Sequence, residues 1–209
     1  MTTETLHEDA GPVTGRAVLP RLVLLVQNGA LSHAGITRIL DCADIASVLA
    51  IGALPHQQVQ AFQAAGIAVI ALDETDQPDA DGVMVTTSKA AHDIRKASGD
   101  SILGTGPAAS RHEAMLFGET QPDFVLLAGH APDKPLTTLT TVDTDLAAWW
   151  TDLMEVPGIA YAETVEDADR LAATGIEFLA VPQALWTSED GSAALGVIAP
   201  HHETTEQDT

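Results

Sequence analysis

Positive charge is scarce in this chain, and three of its cationic side chains follow the ends of predicted strands. The 209 residues include 9 Lys and Arg against 30 Asp and Glu. Lys89, Arg111 and Lys134 lie in or directly after the loops that follow the fourth, fifth and sixth predicted strands. We call these three residues the cationic rim; with Ser110 at a predicted helix start, they predict an anion-binding site. The alternative is that they are ordinary solvated surface residues.

Two amide side chains end the first predicted strand. Gln27 and Asn28 each carry an amide that can donate and accept hydrogen bonds, which suits recognition of a heterocycle. Polar residues that close a strand also form turns, and this second interpretation stays open.

The elements that must position these side chains alternate regularly. Apolar runs rich in Val, Ile and Leu predict buried parallel strands, which read as continuous rather than alternating. The eight predicted strands are 22–26, 48–51, 68–72, 83–85, 102–103, 124–127, 159–162 and 178–181. The predicted helices are 33–43, 57–65, 90–97, 111–119, 145–154, 166–173 and a short 192–197.

Two connections between predicted strands depart from this regular alternation of strand and helix. The segment 73–80 after the third strand is short and contains Pro78, so we expect one helix to be reduced to a turn. The segment 130–144 is a long loop, and long loops in compact domains are often functional, so we expect a lid there. Eight strand and crossover units predict a (β/α)8 TIM barrel whose active site lies at the carboxyl ends of the strands. A doubly wound sheet is the competing architecture.

Composition narrows the classes of function. With 45% hydrophobic residues, we expect one barrel domain over residues 21–198 and flexible tails at 1–20 and 199–209. The net charge of -21 argues against nucleic acid and membrane surfaces as partners. The acidic first segment lacks the apolar core of a secretory signal, so we expect a cytoplasmic protein.

A longer stretch carries a family resemblance. The segment ADGVMV, the following GDSILGTG, a helix opening at residues 110–114 and then PDFVLLAG resemble the middle of thiamine phosphate synthase and of its relative, the TenI-type thiazole tautomerase. The resemblance implies thiamine biosynthesis: a transferase joins a pyrimidine diphosphate to a thiazole phosphate with Mg²⁺ and releases pyrophosphate. A small phosphorylated heterocycle is therefore the expected partner.

The resemblance also implies roles for individual residues. Asp73 matches a metal-binding carboxylate after the third strand, and Lys89 lies at or near a second metal-carboxylate position, where it would meet pyrophosphate instead. Strand seven of the family ends in a phosphate-binding Gly-Gly turn, whereas this chain has Ala162 and Glu163. His130 matches the Gly-His pair of the tautomerase branch and would transfer protons.

Three hypotheses follow. The leading one is a thiamine phosphate synthase-like enzyme. The departures at the metal and phosphate motifs make a non-catalytic barrel, acting as a ligand sensor or scaffold, the first alternative. A TenI-like tautomerase that uses His130 is the second. Trp149 and Trp150 are adjacent on one predicted helix and cannot both face inward. We expect one to pack in the core and the other to cover either a loop or a partner chain, and the second possibility suggests a homodimer.

Overall fold

Eight parallel strands close into a barrel in the computed structural model of this chain, with β1 hydrogen-bonded to both β2 and β8. The structure describes residues 19–27, 31–72, 75, 77–97, 101–131 and 134–201. The strands are β1 Arg21–Val26, β2 Ile45–Ala50, β3 Ala68–Leu72, β4 Gly82–Val85, β5 Ile102–Ala108, β6 Phe124–Leu127, β7 Gly158–Tyr161 and β8 Phe178–Val181. This confirms the predicted TIM barrel.

Helices connect most of the strands, as the alternating pattern predicts. They are α1 His33–Cys42, α2 His56–Ala64, α3 Ser88–Ala97, α4 Arg111–Gly118, α5 Thr144–Leu153, α6 Val165–Ala172, α7 Gln183–Thr187 and α8 Glu189–Ile198. Polar residues set several starts: Ser110 accepts from the Glu113 N–H, and Thr164 forms a capping box with Asp167. None of the helices in the described ranges has the length and hydropathy that a membrane span requires.

The crossover between β3 and β4 contains a turn in its described part, which confirms the predicted loss of one helix. Polar side-chain contacts hold the described part of this crossover. The Asp81 carboxylate accepts a hydrogen bond from the Val69 N–H at 2.8 Å, and His56 pairs with Asp79 at 2.5 Å. The short crossover is therefore tied to β3 and to the start of α2.

Alternating strand residues build two apolar layers. One set, including Leu22, Leu24 and Val48, packs against the helices. The other set fills the barrel interior. Its strand members are Val23, Leu25, Leu49, Ile70, Met84, Leu126, Ile159, Tyr161 and Ala180. The barrel is therefore a packed core, and a ligand must bind at one of its ends.

The two tryptophans of α5 differ in environment, as predicted. Trp150 is buried and donates from Nε1 to the Val156 carbonyl at 2.8 Å. Trp149 is half-buried, and the Arg111 guanidinium lies 5.1 Å from its ring centroid.

Of the predicted tails, residues 1–18 and 202–209 lie outside the described residues. Ala199 is buried and accepts a hydrogen bond from the Asp44 N–H.

Candidate functional site at the carboxyl end of the barrel

A cavity of about 610 Å³ opens at the carboxyl ends of β7, β8 and β1. Its volume lies within the range of small-molecule sites. Side chains with hydrogen-bonding groups occupy one part of the lining, and apolar side chains occupy the rest. The lining residues are Gln27, Thr137, Thr138, Leu139, Thr140, Tyr161, Glu163, Pro182, Ala184 and Leu185. We call this half of the mouth the cavity side.

The long loop after β6 closes the centre of the mouth. Leu136 and Leu139 are buried in the same cluster as the barrel-interior residues. Gly129 and Thr140 exchange two backbone hydrogen bonds of 2.9 Å, and a Cβ at Gly129 would lie 2.2 Å from Thr140 Oγ1. Gln27 Nε2 donates to the Thr137 carbonyl at 3.2 Å and joins the loop to the end of β1. The open space therefore lies beside the barrel axis rather than on it.

The backbone after β7 has no unpaired N–H group among residues 162–164. The Ala162 N–H donates to the Ala180 carbonyl, and the Glu163 N–H donates to Thr141 Oγ1 at 3.0 Å. The Thr164 N–H donates to Asp167 Oδ2. A phosphate group needs free N–H donors of this kind. The segment after β8 begins with Pro182, which has no backbone N–H. The cavity side therefore presents the side chain of Glu163 instead of a ring of amides.

Two titratable groups on either side of the turn between β7 and α6 have shifted pKa values. Burial, with a further contribution from the Glu163 carboxylate, raises the pKa of Tyr161 to about 12, so its phenol is neutral at physiological pH. Burial opposes ionisation of Asp167, but hydrogen bonds from Thr141, Thr164 and Arg170 outweigh it and lower the pKa. Thr141 also accepts from the Glu163 N–H, so the Asp167 carboxylate holds the turn that carries Glu163.

The residues of the cationic rim do not line this cavity. Lys89 is exposed on α3 and lies 3.8 Å from Asp93. Arg111 begins α4 and stacks on Trp149. Lys134 is exposed in the long loop. Ser110 caps α4, and its hydroxyl bonds within its own helix start. Of the predicted binding residues in the described ranges, Gln27 alone lines the cavity.

His130 follows β6 in the same loop. Its Nδ1 atom is buried and has no hydrogen-bond partner among the described residues. A buried imidazole nitrogen without a partner carries a desolvation cost, and such atoms are often sites of catalysis or ligand contact. This atom belongs to the histidine for which the tautomerase resemblance predicts a role in proton transfer.

Comparison with known proteins gives the family. The chain is 33% identical over 170 residues to thiamine-phosphate synthase of Rhodospirillum centenum, with 74% of this chain and 82% of that protein covered. The chain belongs to the thiamine-phosphate synthase family. A second synthase, from Hyphomonas neptunium, is 32% identical over 138 residues, which are 63% of this chain and 62% of that protein. No protein-family model matches the chain.

Solved structures support the fold of the family. Thiamine phosphate pyrophosphorylase from Pyrococcus furiosus superimposes with a TM-score of 0.64 at 15% identity, covering 87% of this chain and 96% of that one. The (S)-3-O-geranylgeranylglyceryl phosphate synthase from Thermoplasma acidophilum gives 0.59 at 11% identity, covering 86% and 93%. At these identities the likeness shows a shared barrel.

A magnesium site of the kind the family implies does not fit the described donors. No group of three or more His, Cys, Asp or Glu residues is placed to hold a metal ion in the described ranges. Near β3 and β4, Asp79 pairs with His56, and Asp81 accepts backbone and amide hydrogen bonds. Asp73, the predicted ligand, and Asn28, the predicted heterocycle contact, lie outside the described residues.

Sequence reasoning missed several lining residues of the cavity. Thr137, Thr138 and Thr140 belong to the repeat LTTLTT in the long loop, a cluster of hydroxyl groups that signals polar contacts. Tyr161 ends β7, and only the register of the barrel shows that its side chain reaches both the interior and the cavity. Glu163, which stands at the position of the family's Gly-Gly turn, lies in the cavity wall.

Proposed function

We propose that this protein acts in thiamine biosynthesis, joining a pyrimidine diphosphate to a thiazole phosphate with release of pyrophosphate. The observation that carries the proposal is the 33% identity across 82% of a thiamine-phosphate synthase. The cavity side supports it, because its apolar wall and hydrogen-bonding side chains suit a small heterocycle.

The two halves of the mouth divide the substrates in this proposal. The cavity side binds the thiazole. The cationic rim, Lys89, Arg111 and Lys134, with the Ser110 helix start beside it, meets the diphosphate through charge-assisted contacts. Asp73 is the proposed ligand of Mg²⁺. No step of the reaction is derived through the metal, because the described donors do not form its site.

Pyrophosphate release tests the reaction. Purified protein is given pyrimidine diphosphate, Mg²⁺ and either thiazole phosphate or the thiazole alcohol, and both products are followed by chromatography. We expect turnover that Asp73→Ala abolishes and Asp169→Ala, a change at an exposed carboxylate of α6, leaves intact. No product from folded protein would contradict the synthase and favour a non-catalytic ligand-binding barrel.

A second candidate function is favoured by His130. Its buried and unpaired Nδ1 suits a general base or acid for tautomerisation of a thiazole precursor. This reaction needs one substrate and no metal. We expect His130→Asn to abolish it while leaving the thermal unfolding midpoint unchanged, and equal tautomerase activity in the variant would eliminate this candidate.

A further inference from the structure

Helix α4 presents apolar side chains to solvent on the outside of the barrel, away from the cavity side. Met115 and Leu116 are 47% and 45% exposed. Leu153, in the last turn of the neighbouring helix α5, is 65% exposed. Across the described part of the chain, the other exposed large hydrophobic residues are Leu19 and Val197. Exposed apolar side chains that are clustered in this way mark a protein contact, whereas single ones are ordinary surface.

A groove of about 240 Å³ between α4 and α5 extends this apolar surface. Met115 and Met154 line it, and a Cβ at Gly118 would lie 3.3 Å from the Trp150 ring, so the two helices approach closely there. Methionine side chains adapt to the shape of a partner and are enriched at protein interfaces. We call Met115, Leu116, Leu153 and this groove the α4–α5 face.

Polar side chains of opposite character flank the apolar pair on α4. His112 lies one turn before the pair and Glu119 one turn after it, and both are exposed. An imidazole donates at least one hydrogen bond in either tautomer, and a carboxylate accepts. The other acidic residue of α4 is already engaged, because the Glu113 carboxylate accepts hydrogen bonds from the Ala109 N–H and the Ser110 hydroxyl. The outer side of α4 therefore reads donor, apolar pair, acceptor.

This order is complementary to itself. In an antiparallel pair of α4 helices with a two-fold axis between Met115 and Leu116, Met115 of one copy meets Leu116 of the other. In the same register His112 of each copy meets Glu119 of the other. A parallel pair would instead place the two Glu119 carboxylates together, where they repel. Two-fold interfaces use the same surface on both chains, so a second copy of this chain is the partner that matches the face.

We propose that the α4–α5 face is the interface of a homodimer in which the two α4 helices pack antiparallel. The inference does not depend on the proposed function, because the face lies outside the mouth of the barrel. A standard interface buries about 800 Å² on each partner. Helix α4 has eight residues and is about 12 Å long, too short to cover that area alone. We therefore expect a dimer that dissociates in the micromolar range.

Sedimentation velocity of the full chain tests the interface. Raising the protein concentration through the micromolar range should shift the mass from that of the 21.8 kDa chain towards twice that value. Leu116→Glu should raise the dimer Kd by about tenfold or more, because it places a charge among apolar side chains at the axis. Val197→Glu, the same kind of change at an 81% exposed position of α8, should leave the Kd unchanged.

A charge exchange tests the antiparallel register. His112→Glu and Glu119→Lys should each weaken the dimer, and the double variant should return to within about threefold of the wild-type Kd, because each new lysine meets a new carboxylate. The measurements are made at 0.15 M salt, where charges more than about 8 Å apart are largely screened. A monomer at every concentration, a dimer insensitive to Leu116→Glu, or a double variant as weak as the single ones would overturn the proposal.

Discussion

The two halves of the barrel mouth differ in charge and in shape, although the same strand-and-helix repeat builds both. The cavity side lies at the ends of β7, β8 and β1 and carries Glu163 in its wall. The cationic rim follows β4, β5 and β6, and two of its three members are already engaged, Lys89 with Asp93 and Arg111 with Trp149. The barrel fixes where loops meet, but the loops alone decide which charge each half presents.

The long loop after β6 connects the two halves of the mouth. His130 begins this loop, Lys134 follows four residues later, and Thr137 and Thr140 line the cavity. A loop held by Leu136 and Leu139 in the barrel core brings positive charge close to the cavity side without entering it. The two proposed substrates, a thiazole on the cavity side and a diphosphate at the cationic rim, match such a divided mouth.

The largest expected effect concerns the scaffold of the cavity side. Trp186 is fully buried in α7 and donates from Nε1 to the Leu25 carbonyl at 3.1 Å. Trp186→Ala removes this bond and leaves a cavity, so we expect the free energy of unfolding to fall by about 3–5 kcal/mol in urea denaturation. Leu116→Ala, at a 45% exposed position of α4, should change it by about 0.5 kcal/mol. If both variants lost a similar free energy of unfolding, the cavity side would not depend on the packing of α7.

The second effect tests whether the cationic rim binds anions. Lys134 is exposed and forms no ion pair with another described residue. Lys134→Ala should weaken binding of inorganic pyrophosphate by about 1–3 kcal/mol, as expected for a lost charge-assisted contact. Lys96→Ala removes an exposed lysine from the last turn of α3 and serves as the control. Unchanged affinity in the Lys134 variant would remove the rim site from the account.

The third effect concerns the turn that presents Glu163. Asp167 has a lowered pKa, so its ionised form stabilises the folded chain above the pKa of an unfolded aspartate, about 3.9. We expect Asp167→Asn to cost about 1–2 kcal/mol at pH 7 from lost hydrogen bonds. The difference from wild type should shrink as the pH falls below about 4 through the lower folded pKa, because the wild-type carboxylate becomes protonated. A difference that stays constant from pH 7 to pH 2.5 in urea denaturation would contradict this role.

The smallest effect separates packing from binding on the cationic rim. The Arg111 guanidinium lies 5.1 Å from the centroid of the Trp149 ring, a geometry worth about 0.5–1 kcal/mol at an exposed site. Arg111→Ala should lower the free energy of unfolding by that amount, measured in guanidinium chloride. Trp149→Leu should lower it similarly, and the double variant should lose less than the sum of the two. Strict additivity would show that the contact contributes nothing.

The apolar runs were sufficient to predict eight strands, because each strand needs only its own run, but closure into a barrel is set by the pairing of β1 with β8, and the sequence left a doubly wound sheet as the alternative. The sequence also located the crossover without a helix, since Pro78 and the length of 73–80 act locally. The predicted ends of strands were less accurate where pairing with a neighbouring strand decides them. β2 begins at Ile45 because Ile45 pairs with Leu22, and β5 continues through Pro107 to Ala108 because Ala108 pairs with Leu127. The helix α7 has five residues, too few for a periodic pattern.

The candidate site was harder to predict from sequence. Carboxyl-end loops are identifiable because they follow strands, and Gln27, directly after β1, lines the cavity. The direction of each side chain depends on tertiary contacts, which is why Arg111 lies on Trp149 and three threonines of the long loop reach the cavity. The pattern of residue types predicts which loops meet at the mouth of the barrel. Packing decides which side-chain atoms face the space between those loops.

One measurement tests the division of the mouth most directly. Backbone NMR signals of the full 21.8 kDa chain are recorded with and without thiamine. We predict shifts concentrated at Gln27, Thr140 and Glu163 and absent around Lys89 and Arg111. Shifts centred on Lys89 and Arg111, with the signals of the cavity side unchanged, would contradict the assignment of the heterocycle to the cavity side.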